Sequence, residues 1–236
     1  MLLIISTLIL STLIGGLSIY FVPSISKNIR LPLIFAGSYL LAITVIHIIP
    51  ELFTLSENPS RVGIYVLIGF FVQQFLEYFS SGVEHGHVHP NQAMSVQGRF
   101  SLIIALMIHS LLEGTLLTHD SSFHGEHESH SLLIGIILHK MPAAFALMAT
   151  LTGMGKRAIY LLVLFSISSP IGFLLSDIVL VSEEHLLVLF AIVCGSFLHI
   201  STTIFVESSP NHRFGISKIL ISLAGALFAI LAEYLF

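Results

Sequence analysis

The sequence predicts an all-α membrane protein of eight transmembrane helices with both termini extracytoplasmic, and three observations predict it. Hydrophobic residues make up 55% of the 236-residue chain and charged residues only 9%, whereas soluble domains carry about 25% charged residues. Apolar windows of roughly 20 residues, long enough to cross a hydrocarbon core as helix, recur eight times along the chain. The basic residues outside these windows fall on alternate connections. Eight spans leave no room for a soluble domain, so residues 1–236 read as a single polytopic membrane domain.

The first span, near 2–22, lacks a basic leading region and a small-x-small cleavage site, so it reads as a retained helix rather than a removable signal. The second, 32–51, ends in His47-Ile48-Ile49-Pro50-Glu51, and the third, 62–80, follows Pro59 and Arg61 and carries Glu77. A connection at 81–99 contains Glu84-His85-Gly86-His87-Val88-His89. The fourth span, 100–118, contains His109-Ser110-Leu111-Leu112-Glu113-Gly114. The connection at 119–130 is rich in histidine and acid: His119, Asp120, His124, Glu126, His127, Glu128 and His130. The fifth span, 131–151, carries His139-Lys140 and Pro142; the sixth, 157–179, carries Pro170. The seventh, 185–206, holds the lone Cys194, which excludes an intramolecular disulfide, and His199; Glu207 and His212 follow it, and the eighth span is 214–236. Tryptophan is absent, so interfacial anchoring falls to residues such as Tyr20, Tyr78 and Tyr234.

Charge gives the bundle a direction. Lys27, Arg30, Arg99, Lys156, Arg157, Arg213 and Lys218 flank the connections after spans one, three, five and seven, against Arg61 alone on the other side. This positive-inside bias predicts a cytoplasmic loop at 81–99 and an external loop at 119–130, in the cell (inner) membrane. The two histidine loops suggest weak, exposed metal capture by His85, His87, His89, His119, His124, His127 and His130, although polar loops also tolerate histidine for its own sake.

Ionisable groups at bilayer depth cost about 2.5–3.5 kcal/mol each on insertion scales, which makes them candidate functional residues. At 1.5 Å of rise per residue, His109 and Glu113 lie roughly 14 and 20 Å from the inner boundary and His139 roughly 18 Å. The i, i+4 spacing puts His109 and Glu113 on one helical face. Imidazole and carboxylate together suit zinc or a similar divalent transition metal, with water completing the shell. The bland alternative is interhelical hydrogen bonding, with Lys140 neutralising Glu113. Further polar groups extend the set in depth: His47 and Glu51 in the outer half, Glu77 and His199 in the inner half, and Glu207 at the inner mouth. Such a ladder implies passage, whereas a structural site needs one rung. Proline at 50, 142 and 170 would free the carbonyls of Ile46, Leu138 and Ser166, two of them next to His47 and His139.

These residues resemble a family. His109-Ser-Leu-Leu-Glu113-Gly114 is similar to the fourth-helix H-[SN]-x-x-E-G signature of the ZIP metal transporters. His139-Lys140-x-x-Ala143-Ala144-Phe145 resembles the fifth-helix motif of the bacterial-type members with H-K there, and His47-Ile-Ile-Pro50-Glu51 the H-x-x-P-E ending of their second helix. Ser169-Pro170-Ile171-Gly172 and Gly195-Ser196-Phe197-Leu198 resemble the sixth- and seventh-helix patterns. The resemblance implies a ZIP-like bundle that imports divalent metal, most of all Zn2+, with Fe2+, Mn2+ or Cd2+ as further substrates. It implies His109, Glu113 and His139 as the ligands of one site between the fourth and fifth helices. Lys140 follows His139 where two-metal members have an acidic or amide residue, and Ala143 replaces a carboxylate. Lys140, with a minor share from Ser110, is thus expected to substitute for the second cation. The metal is then substrate rather than prosthetic group, the partners are the ion and the lipid bilayer, with homodimerisation left open, and nucleic acid is excluded.

Three other classes compete. A membrane metalloenzyme would carry H-E-x-x-H on a helix, but His127-Glu128-Ser129-His130 has the wrong spacing and lies in a loop. A haem-binding electron-transfer protein with His109 and His139 as ligands would bury Glu113 and Lys140 beside the iron. A metal sensor or chaperone would need no ladder.

Overall fold

The computed structural model describes residues 1–21, 30–80, 96–117, 128–179, 182–207 and 215–235. Among them the chain forms eight membrane-length helices: α1 (Leu2–Leu17), α2 (Arg30–Leu55), α3 (Pro59–Ser80), α4 (Val96–Thr115), α5 (Glu128–Leu151), α6 (Lys156–Val179), α7 (Glu183–Glu207) and α8 (Ile216–Leu235). Helix is the form in which an apolar segment satisfies its backbone without water. Seven of the eight are long and apolar enough to cross a membrane; the other, α4, is the one diluted by Arg99, His109 and Glu113. Several buried hydroxyls bond back within their own helices, as Thr12 does to the Leu8 carbonyl, Ser38 to Ile34 and Thr44 to Leu40.

The boundaries differ from the sequence expectation by a few residues: α1 stops at Leu17, α2 runs on to Leu55, α4 starts at Val96 and stops at Thr115, and α5 begins at Glu128, within the loop expected at 119–130. Proline acts unevenly. Pro142 and Pro170 lie inside uninterrupted α-helix, whereas Pro50 is preceded by a π-helical segment, Thr44–Ile48, which contains His47. The wider turn takes up the missing N–H of Pro50 and the crowding of its ring against the preceding carbonyls.

Contacts divide the bundle into two sets. α1 packs on α5 and α6, and α4 on α6; α2 packs on α7 and α8, and α3 on α7. The sets meet through α3 with α4, α2 with α5 and α5 with α8. Small residues let backbones approach within each set. A Cβ on Gly114 of α4 would stand 2.0 Å from the Ser169 carbonyl of α6, and one on Gly172 of α6 would stand 1.9 Å from the Leu111 carbonyl. Gly69 and Gly195 make the matching reciprocal pair between α3 and α7. Between the sets, Gly135 of α5 meets the side chain of Tyr39 instead.

Large apolar residues remain exposed along α3 (Ile64, Leu67, Phe71, Phe75) and α8 (Leu220, Leu223, Leu227), as expected of surfaces facing acyl chains. Tyr20, Tyr78 and Tyr234 are exposed near helix ends. Arg61, the basic residue that departs from the charge bias, pairs with Glu184 at 2.8 Å. The polar exceptions to this apolar composition are gathered inside.

Candidate metal centre

Glu113 organises the interior. It is 2% exposed on α4, and its two oxygens face different partners. Oε1 lies 3.0 Å from Nε2 of His109, one turn earlier on the same helix, and 3.9 Å from Nε2 of His139 on α5. Oε2 lies 3.5 Å from Nζ of Lys140. His109, Glu113 and His139 each offer a ligand atom within 4.8 Å of the others, and all three are buried. The imidazole rings stand edge to face with centroids 5.8 Å apart, so their nitrogens are directed at a common region rather than stacked. Two imidazole nitrogens and one carboxylate oxygen, with a position left for water, form a set suited to a divalent transition metal.

Lys140 is 1% exposed, and its ammonium has polar and aromatic partners. It donates to Ser110 and, at 2.5 Å, to Ser169 of α6, while Phe165 places its ring 4.8 Å away. The Ser169 hydroxyl in turn donates to the Ser110 carbonyl at 2.7 Å. Four groups therefore hold one buried cation beside the histidine–carboxylate set, as a buried charge requires. Adjacent positions on α5 thus serve opposite sides of one carboxylate.

The outer shell comes from the other helix set. Oε1 of Gln73, on α3, lies 3.1 Å from Nδ1 of His109 and accepts a 2.8 Å bond from the Ser196 hydroxyl of α7. One turn further along those same faces of α3 and α7, Glu77 and His199 pair at 2.5 Å, with Thr203 at 3.4 Å from the same imidazole nitrogen. The inner-half residues singled out in the sequence are thus together, next to the centre.

Towards the opposite end, His47 and Glu51 are also together, with a residue that the sequence reading omitted. His47 Nε2 is 3.6 Å from Glu51, and its Nδ1 is 2.9 Å from Glu233 on α8. Glu233 also accepts from the Ser131 hydroxyl of α5 at 2.7 Å, and Tyr39 donates to the Ser131 carbonyl at 2.8 Å. Because His47 uses different nitrogens for the two carboxylates, this cluster bridges rather than converges. The chain of contacts links α2, α5 and α8 across the two sets.

Some expected residues carry no geometry. His85, His87, His89, His119, His124 and His127 lie outside the described residues, as does the side chain of Glu207, although its backbone ends α7. His130 is exposed on the first turns of α5. The residues missed, Gln73, Ser131 and Glu233, are ordinary polar types, and Ser169 and Ser196 entered only as parts of the sixth- and seventh-helix patterns. Mid-span position was the signal for Gln73, the first of two adjacent amides, Gln73 and Gln74, in the mainly apolar α3.

Fold and centre define a class: an all-α, multi-pass membrane protein with a buried set of potential metal ligands. No family model matches the chain. Protein zntD of Dictyostelium discoideum is 32% identical over 145 residues, covering 55% of this chain and 21% of that protein. Zinc transporter ZIP9 of Xenopus tropicalis is 23% identical over 160 residues, covering 62% and 52%, and zinc transporter ZIP9-A of Xenopus laevis is 24% identical over 119 residues, covering 49% and 39%. The chain spans about half or less of the curated relatives it matches. By sequence it is similar to proteins named zinc transporter ZIP9 and to protein zntD.

Proposed function

We propose that the protein is a secondary carrier, not an enzyme, that moves divalent metal, chiefly Zn2+, into the cytoplasm through one intramembrane site formed by His109, Glu113 and His139. The observation that carries this reading is the convergence of three buried ligand atoms within 4.8 Å, in a chain whose relatives are named zinc transporters. Fe2+, Mn2+ and Cd2+ are further substrates for the same donor set, since affinity alone discriminates poorly among such ions.

The chemistry of a carrier follows from the donors. Neutral imidazole and ionised carboxylate bind metal in the protonation states that suit them near neutral pH. A single carboxylate already shared with Lys140 holds a divalent ion less firmly than two carboxylates would, which favours release. Lys140, held by Ser110 and Ser169, fills the space where a second ion would otherwise be stabilised, so one ion is carried per cycle.

Direction follows from charge. With the loops bearing Lys27, Arg99, Lys156 and Arg213 in the cytoplasm of a cell carrying the protein in its plasma or inner membrane, the His47–Glu51–Glu233 cluster faces outward and Glu77–His199 inward. Histidines of the 119–130 loop gather metal, and Glu207 and the 81–99 loop receive it. The three ligands lie on α4 and α5, whereas His47, Glu51, Glu77 and His199 lie on α2, α3 and α7. Displacement of one helix set against the other would therefore carry the ligands from outer to inner polar groups. Uptake of radiolabelled zinc into proteoliposomes tests this function: transport is expected with the native protein, and unchanged transport in the Glu113→Ala, His139→Ala double variant would overturn the site.

A further inference from the structure

Gln73 stands behind a ligand without being one, and we infer that it is the positioning residue that fixes the tautomer of His109 and makes the affinity of the centre depend on how the two helix sets are aligned. The inference rests on the reading of His109, Glu113 and His139 as a metal site.

The hydrogen-bond directions leave one arrangement. The Ser196 hydroxyl donates to Oε1 of Gln73 at 2.8 Å, so the amide oxygen, an acceptor, is the atom turned towards His109. Nδ1 of His109 lies 3.1 Å from that oxygen and must bring the proton. A neutral imidazole protonated at Nδ1 has a bare lone pair at Nε2, the nitrogen facing Glu113 and His139. On that side Nε2 of His109 lies 3.0 Å from Oε1 of Glu113, in line with the ligand set and outside ideal hydrogen-bonding geometry. Gln73 is 1% exposed and Ser196 3%, which leaves water little access to replace them. Partners of this kind set both the orientation and the basicity of metal-ligating histidines.

The placement of Gln73 adds a second consequence. Its helix, α3, and the helix of Ser196, α7, belong to one packing set, whereas α4 and its His109 belong to the other. A relative shift of one helical turn, about 5.4 Å, would take Nδ1 out of reach of Oε1. The proton would then no longer be anchored at Nδ1, and its transfer to Nε2 would withdraw that ligand. The centre is thereby strong where Gln73 faces His109 and weak where it does not.

Zn2+ titration by calorimetry of the full chain in detergent, with 15N spectra of His109 in the metal-free protein, tests this. Gln73→Leu is expected to weaken binding by about 10–100-fold, the usual cost of losing such a partner, and Gln73→Glu, which keeps an acceptor oxygen, to stay within about threefold of native. The spectra are expected to report Nδ1 protonation in native protein and Gln73→Glu, and a tautomer mixture in Gln73→Leu. Native affinity and native tautomer in folded Gln73→Leu would overturn the inference. Should that variant not fold, Ser196→Ala replaces it, and unchanged affinity and tautomer there would overturn the inference equally. Glu113→Ala separates the two levels: if it abolishes tight binding while Gln73→Leu spares it, the role of Gln73 fails alone. If Glu113→Ala leaves binding intact, the metal site itself fails.

Discussion

Lys140 lies 3.5 Å from Oε2 of Glu113, on the opposite carboxylate oxygen from the one that His109 approaches at 3.0 Å. One carboxylate thus serves a fixed cation on one side and a ligand set on the other. On the proposed assignment of His139 as a ligand, the division would explain why a lysine is tolerated next to it: Lys140 takes the other carboxylate oxygen.

Removing that cation should strengthen the centre. A unit charge about 5 Å away at an effective dielectric of 20 amounts to about 3 kcal/mol of repulsion per unit charge of the ion, roughly double that for a divalent one. Lys140→Met is therefore expected to tighten Zn2+ binding at least about tenfold while lowering the stability of the metal-free protein. Calorimetry with and without zinc checks both signs; weaker binding would mean that Lys140 helps to hold the ion.

The reverse substitution leaves a different residue stranded. Glu113→Gln removes the partner of a lysine that is 1% exposed, and breaking a buried pair costs about 3–5 kcal/mol. The single variant should unfold at lower temperature in detergent, and the Glu113→Gln, Lys140→Met double variant should recover most of that loss without regaining metal binding. Equal melting of the single and double variants would show that the pair does not contribute in this way.

Much of this centre was legible in the sequence. The i, i+4 spacing of His109 and Glu113, and the matching depth of His139, follow from helix geometry alone, and these residues meet in the fold. Rotation of each helix about its axis is set by tertiary packing and cannot be read from one span. For that reason Gln73 was passed over, and Ser169 and Ser196 were noted only within helix patterns, without the contacts they make. Glu233 failed for another reason, since a carboxylate near the end of a last span looks interfacial. The π-helical segment at Thr44–Ile48 was likewise hidden, because Pro142 and Pro170 also lie within apolar spans and leave their helices unbroken.

Glycine substitutions should separate packing from propensity. A Cβ at Gly172 would stand 1.9 Å from a backbone carbonyl, so Gly172→Ala is expected to destabilise the α4–α6 contact by several kcal/mol, about 3 on the scale of overpacked cores. Gly63 has nothing within 4 Å of that position, so Gly63→Ala should be neutral or stabilising by up to about 1 kcal/mol. Thermal unfolding in one detergent compares them; equal effects would mean that the close approach is not tight.

If the proposed direction of transport holds, the His47–Glu51–Glu233 cluster should affect entry rather than binding. Glu233→Ala removes a carboxylate 2.9 Å from His47 without touching Glu113. It is expected to raise the half-saturating zinc concentration for proteoliposome uptake about threefold or more, consistent with a lost charge-assisted contact, while the calorimetric Kd of the buried centre changes little. A parallel change in both would place Glu233 within the binding site instead.

Zinc K-edge X-ray absorption, on protein whose loop histidines 85, 87, 89, 119, 124, 127 and 130 are replaced by alanine, tests the central claim most directly. One bound zinc with two imidazole nitrogens and oxygen ligands at about 2.0–2.1 Å, altered by Glu113→Ala, is the predicted result. A zinc spectrum indifferent to Glu113→Ala and His139→Ala, or a second metal at about 3.5–4 Å, would contradict it.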